Sequence, residues 1–124
     1  KGVYVNSVSR VRIPLSPPQI LGANMKSLVI ATFPAQEGKL EELKQLFRDA
    51  LSDTRAFDGC ISIDVHVEQE TETIHLIEYW DSLDHYEAYL QWRIENGLAE
   101  LLNPILEGGS DGLKIYRCGV KENI

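Results

Sequence analysis

Ile74-His75-Leu76-Ile77-Glu78-Tyr79-Trp80 runs without a break into Asp81-Ser82-Leu83-Asp84-His85-Tyr86-Glu87-Ala88-Tyr89. The first part is rich in β-branched and aromatic residues and fits a pleated strand. The second opens on Asp81-Ser82, whose side-chain oxygens can take an orphan amide at the start of a helix beginning near Leu83. A strand that turns directly into a helix brings Trp80 to the sheet rim and sets tyrosines above it. A concave aromatic pocket between sheet and helix is therefore the first place to look for function.

Working outward, Leu83, Tyr86, Leu90 and Ile94 recur at helical spacing and predict a core stripe that ends at Asn96-Gly97. Upstream, Ile61, Ile63, Val65 and Val67 alternate with Cys60, Ser62, Asp64, His66 and Glu68, which predicts a strand with one apolar face. The short polar connector 69–72 makes it the antiparallel partner of Thr73 to Trp80. Ser27 to Pro34 is a β-rich run expected to be buried on both faces. Leu40, Leu43, Leu46, Phe47, Ala50 and Leu51 then mark a helix with one wet face, and Asp58-Gly59 breaks the chain after it. Leu98, Leu101, Leu102, Ile105 and Leu106 read as a short apolar helix interrupted at Pro104, and Leu113 to Cys118 as the last strand.

The order strand, helix, strand, strand, helix, short helix, strand is the ferredoxin-like α+β pattern, a four-stranded antiparallel sheet with helices on one face. Residues 26–118 form that domain. Residues 1–25, with Pro14, Pro17 and Pro18, read as an N-terminal arm outside the chemistry, and 119–124 as a C-terminal tail. The second sheet face, with Ile77 and Tyr79 beside Asp64, His66 and His75, would be bare in a single copy, so a homodimer through the sheet face is expected.

Composition removes several function classes. A chain of 124 residues holds one core. A net charge of −7 with no basic stripe excludes nucleic-acid binding, and no apolar run approaches the ~20 residues of a membrane helix. Cys60 and Cys118 are read as reduced thiols of a cytoplasmic protein. His66 and His75 lack further ligands and are assigned to the sheet face, not to a metal. Phosphate-cradling loops, dinucleotide fingerprints, serine elbows and Cys-x-x-Cys are absent.

Gly59-Cys60-Ile61-Ser62, then Glu78-Tyr79-Trp80-Asp81, then a helix from Leu83 carrying Tyr86, Tyr89 and Leu90, resembles the antibiotic biosynthesis monooxygenase family from about Lys26 to Arg117. The resemblance implies a dimeric α+β barrel. It also implies oxidation of a quinol-like, anthrone-like or other phenolic small molecule by O2, with no metal or flavin cofactor. The family often has a histidine on the helix after the tryptophan, where this chain has Tyr89, with His85 one turn earlier. The haem-degrading branch uses an asparagine on the first strand, and Ser27 to Pro34 has none. The candidate substrate-binding residues are Trp80, as a pocket wall, and Arg93, as a partner for the substrate anion. The candidate catalytic residues are Tyr89, exchanging a proton with the substrate oxygen, and His85 as base. Glu78 is expected to orient a neighbour. Two other readings fit the same fold: a small-metabolite isomerase, and a non-catalytic ligand-binding or stress-related dimer whose own aromatics fill the pocket.

Overall fold

The structure, a computed structural model, describes residues 25–124. The expected arm lies outside the described residues, apart from Met25. The elements are β1 (Ser27–Pro34), α1 (Leu40–Arg55), β2 (Cys60–Glu68), β3 (Thr73–Trp80), α2 (Leu83–Glu95), α3 (Leu98–Leu102), a 3-10 turn (Gly109–Gly112) and β4 (Lys114–Val120). They form one antiparallel sheet in the order β2-β3-β1-β4. This is the ferredoxin-like α+β architecture.

Each strand's period of two sorts its side chains between a helix-covered face and a bare one. On β3, Ile74, Leu76, Glu78 and Trp80 are buried under the helices, while His75, Ile77 and Tyr79 are half-exposed. On β1, Val29, Ala31 and Phe33 join the buried row. Helix α1 lays Leu40, Leu43, Phe47 and Leu51 on that row, the i, i+3, i+4 spacing giving a continuous apolar stripe. Acidic Glu41 and Glu42 in its first turn and Arg55 in its last complement the helix dipole.

Four local expectations are corrected. The outer side chains of β1 are half-exposed, because no described layer covers that face. A register shift between Cys60 and Ser62 sets Cys60 opposite Trp80, so Cys60 packs on the core and Ile61 turns to solvent. On α2 the inward line runs Tyr86, Tyr89, Leu90 and Arg93, and Ile94 is exposed. Ile94 lies eight residues beyond Tyr86, about 80° round a helix of 3.6 residues per turn, whereas Arg93 at seven returns to the same side. Helix α3 stops at Leu102, ahead of Pro104, and Leu106 instead bridges to Ala35 as an isolated strand pair.

β4 continues to Val120, two residues past the expected Cys118, with a register shift beside Gly119. Both cysteines are free. On the bare face, Ile30 lies between Ile77 and Tyr116, Leu28 lies opposite Tyr79, and His66 opposite His75. No three metal-ligating side chains cluster among the described residues, and none of the described helices is long and apolar enough to cross a membrane.

Candidate functional site

Between the sheet and the three helices lies a cavity with about 60 Å3 of free volume. Most of its wall is aliphatic or aromatic: Phe33, Phe47, Leu76, Leu90, Leu102 and Ile115 are representative. Its polar groups come from two sides. The sheet supplies Glu78; α1 and α2 supply Thr54, Tyr86, Tyr89 and Arg93.

On the helix side, Thr54, Tyr89 and Arg93 form one hydrogen-bonded cluster. Tyr89 Oη lies 2.7 Å from Thr54 Oγ1. Arg93 Nε donates to Tyr89 Oη at 2.8 Å, and Arg93 Nη2 donates to Thr54 Oγ1 and to the carbonyl of Ala50, each at 2.8 Å. The four-residue spacing of Tyr89 and Arg93 puts them on one face of α2. Arg93 thereby ties α2 to the last turns of α1, where Ala50 and Thr54 follow the buried line of Phe47 and Leu51. Burial pushes the Tyr89 phenol above its ordinary range, with the Arg93 charge opposing. Tyr89 is therefore a neutral phenol near pH 7.

The sheet side is a single carboxyl. Glu78 is 3% exposed, in phase with Ile74, Leu76 and Trp80, and its register neighbours Val29 and Ile63 are both buried. A carboxylate there costs desolvation that its neighbours do not repay. Burial pushes its pKa up to about 7, while the hydrogen bond from Trp80 pulls the other way. That bond, from Trp80 Nε1 to Glu78 Oε1 at 2.9 Å, joins residues two apart on one strand face. Among the described residues, the other carboxyl oxygen has no hydrogen-bond partner.

Of the residues singled out from sequence, Tyr89 and Arg93 line the cavity and touch each other. Trp80 is wholly buried behind them and does not line it. Its ring packs against Tyr89 at 5.2 Å, Tyr86 at 5.6 Å and Phe57 at 6.4 Å between centroids. His85 is not brought to the cavity. Its Nδ1 lies 2.7 Å from Ser82 Oγ, which also accepts from the His85 amide as the helix cap. The imidazole sits against Gly59, whose φ of 93° suits glycine, and a Cβ there would fall 2.4 Å from the ring. That seat turns His85 toward the start of β2.

Two site residues were missed. Thr54 carries a signal in retrospect, a hydroxyl in phase with the apolar line of α1. Glu78 carries a clearer one, a charge in the buried phase of a strand, for which orienting Trp80 is only part of the geometry.

Residues 27–93, more than half of the chain, match the family model described as antibiotic biosynthesis monooxygenase. The chain matches none of the curated proteins. Among solved structures, a protein of unknown function from Nitrosomonas europaea is similar over 82% of this chain and 95% of its own, at 17% identity and a TM-score of 0.65. A monooxygenase from the ActVA-Orf6 gene of Streptomyces coelicolor, in complex with nanaomycin D, is similar over 82% and 93%, at 18% identity and 0.63. A protein from Pseudomonas aeruginosa is similar over 79% and 96%, at 23% identity and 0.61. These likenesses carry the fold, and the match of residues 27–93 to the family model places the chain in the antibiotic biosynthesis monooxygenase family.

Proposed function

We propose that the chain is a cofactor-independent monooxygenase that oxidises a quinol-like, anthrone-like or other phenolic small molecule with O2 in the cavity under α1, α2 and α3. The observation that carries this reading is the convergence of Tyr89, Thr54 and Arg93 on a wall that is otherwise mostly aliphatic and aromatic, with Glu78 across from them on the sheet. Such a wall accepts a flat ring, and the guanidinium beside it stabilises the oxyanion left when the ring's hydroxyl loses its proton. An electron-rich anion can then pass an electron to O2. For an anthrone the sum balances as a methylene becoming a carbonyl, with one atom of O2 in the product and the other leaving as water. Trp80 holds Tyr89 from behind. That the Streptomyces coelicolor relative is a monooxygenase with nanaomycin D bound supports the same substrate class.

A second reading, a non-catalytic dimer with a self-filled pocket, is favoured by the free volume. About 60 Å3 holds a few waters and falls below the ~150 Å3 that admits benzene. A ring therefore enters only if the wall yields. The piece best placed to yield is α3, five residues that reach the cavity through Leu98, Leu101 and Leu102 and hang from α2 by Gly97 at a φ of 94°.

Oxygen uptake by the purified chain with an anthrone and menadiol panel separates the two. The oxygenase reading expects uptake above the uncatalysed rate and a fall of about 10- to 100-fold in Tyr89→Phe. Background uptake across the panel would leave the second reading standing. Homodimerisation through the bare face around Ile30, Ile77 and Tyr116 is proposed with either reading, and elution at the mass of a single 14.0 kDa chain at micromolar concentration would sink it.

A further inference from the structure

We propose that Glu78 is the residue that takes the proton from the substrate, and that the substrate therefore enters this cavity neutral, as a phenol, an enol or a keto anthrone. The inference rests on the oxygenase reading and assigns the step that reading leaves without an acceptor. His85 is turned away toward Ser82 and Gly59. Tyr89 Oη is already engaged by Thr54 and Arg93, and as a buried neutral phenol it is a weak base. Glu78 is the one carboxyl among the residues lining the cavity. One oxygen is held by Trp80 Nε1, which fixes the side chain, and the other has no hydrogen-bond partner among the described residues. A buried carboxyl on a cavity wall with one oxygen lacking a hydrogen-bond partner among the described residues is an arrangement that folding alone does not reward.

The transfer is simple to balance. For a phenol or enol, the substrate O–H bond breaks and its electron pair stays on the oxygen. For an anthrone in its keto form, the methylene C–H bond breaks and the pair is delocalised to the carbonyl oxygen. In both, the proton forms an O–H bond on the free oxygen of Glu78. The negative charge moves from a site where burial disfavours it to a ring oxygen, which Arg93 is placed to stabilise. An acid that titrates near neutrality suits this exchange, since it is ionised often enough to accept and is still basic enough to drive the transfer.

The groups around Glu78 do not compete for the proton. Val29 on β1 and Ile63 on β2 are apolar. The Cys60 thiol is pushed up to about 12 by burial and by Glu78 itself. Tyr86 and Tyr89 on α2 are both raised by burial, so they stay neutral. Arg55 on α1 donates to the carbonyl of Ile63, Asp81 acts on Cys60 from beyond the strand end, and Arg117 on β4 is paired with Glu87.

The test is the pH profile of oxygen uptake with an anthrone for the full chain, Glu78→Gln and Trp80→Phe. Glutamine keeps an oxygen for the Trp80 N–H and removes only the base, so packing is preserved. The wild type should gain activity as pH rises through about 7. Glu78→Gln should lose about 10²-fold or more at pH above that limb, and lose the limb itself. Trp80→Phe should keep a limb but move it to higher pH, because the hydrogen bond that lowers the Glu78 pKa is gone. A Glu78→Gln enzyme with wild-type rate and limb overturns the assignment while leaving the oxygenase reading intact. A wild type without uptake overturns both.

Discussion

Leu43 and Trp80 are both wholly buried, yet the regions around them are built differently. Around Leu43, the side chains of α1, β1 and β3 are mostly aliphatic, Leu51, Ala31, Ile74 and Leu76 among them, with Phe33 and Phe47 edge to face at 4.9 Å. Around Trp80, the rings of Phe57, Tyr86 and Tyr89 meet at tilted and edge-on angles. A carboxyl, a phenol, a hydroxyl and a guanidinium reach inward beside them. Flexible aliphatic chains interdigitate to native density. Rigid rings set at angles leave gaps, and each polar tip among them needs a partner. The aliphatic region holds the fold and supplies much of the cavity's apolar wall, Phe33, Phe47, Leu76 and Leu102 included. The aromatic region gives up packing and solvation to bring polar groups to that cavity.

Substitutions on the two sides should therefore separate stability from chemistry. Leu43→Ala should show the largest stability effect, a loss of ~2–5 kcal/mol from the cavity it leaves. Denaturant unfolding would measure it, and oxygen uptake per folded molecule should be unchanged. A matching loss of uptake per folded molecule would erase the distinction between the two regions.

Glu78→Gln should do the reverse and stabilise the protein at alkaline pH. The folded-state pKa of about 7 is raised above the ordinary 4.5, so the folded chain holds this proton more tightly than the unfolded one. Its contribution to stability is fully present below about 4.5 and is lost as pH rises through about 7. The shift is worth about 3 kcal/mol at ~1.36 kcal/mol per pH unit. Unfolding followed from pH about 4 to about 8 should show a fall across that window in the wild type and a flatter curve in Glu78→Gln. Parallel curves would mean that Glu78 titrates in the ordinary carboxyl range.

Thr54→Val gives the smallest of the three effects. It removes a hydroxyl shared by Tyr89 and Arg93 and keeps the side-chain shape, so the stability cost should be about 1 kcal/mol. Uptake should fall further than that loss implies, because Tyr89 keeps only the Arg93 bond. Uptake that tracks stability alone would return Thr54 to ordinary packing.

The fold was legible because period and punctuation agree along the chain. Strand alternation, the Leu40 to Leu51 stripe, the Ser82 cap and the Gly59 and Gly97 breaks each depend on residues close in sequence. The site was legible in part. Tyr89 and Arg93 could be placed together because four residues make one helical turn, whereas Thr54 reaches them only through the packing of α1 on α2, across 35 and 39 residues of chain. The Cys60–Ser62 irregularity, which reverses the faces of Cys60 and Ile61, leaves no mark in the alternation itself. His85 has the right spacing from Tyr89 for a base, and only the seat at Gly59 and the Ser82 cap show that it points elsewhere. Glu78 stands in the buried phase of β3, whereas from sequence it is expected only to orient a neighbour. Its burial, which makes it chemically useful, depends on three helices closing over the sheet.

Oxygen consumption by the full chain with an anthrone, measured from pH about 5 to about 9, addresses the aromatic region most directly. Uptake above the uncatalysed rate that climbs through about 7, and that drops in Tyr89→Phe while surviving Leu43→Ala per folded molecule, is the predicted result. Uptake at the uncatalysed rate throughout that range, in protein shown to be folded, would contradict it.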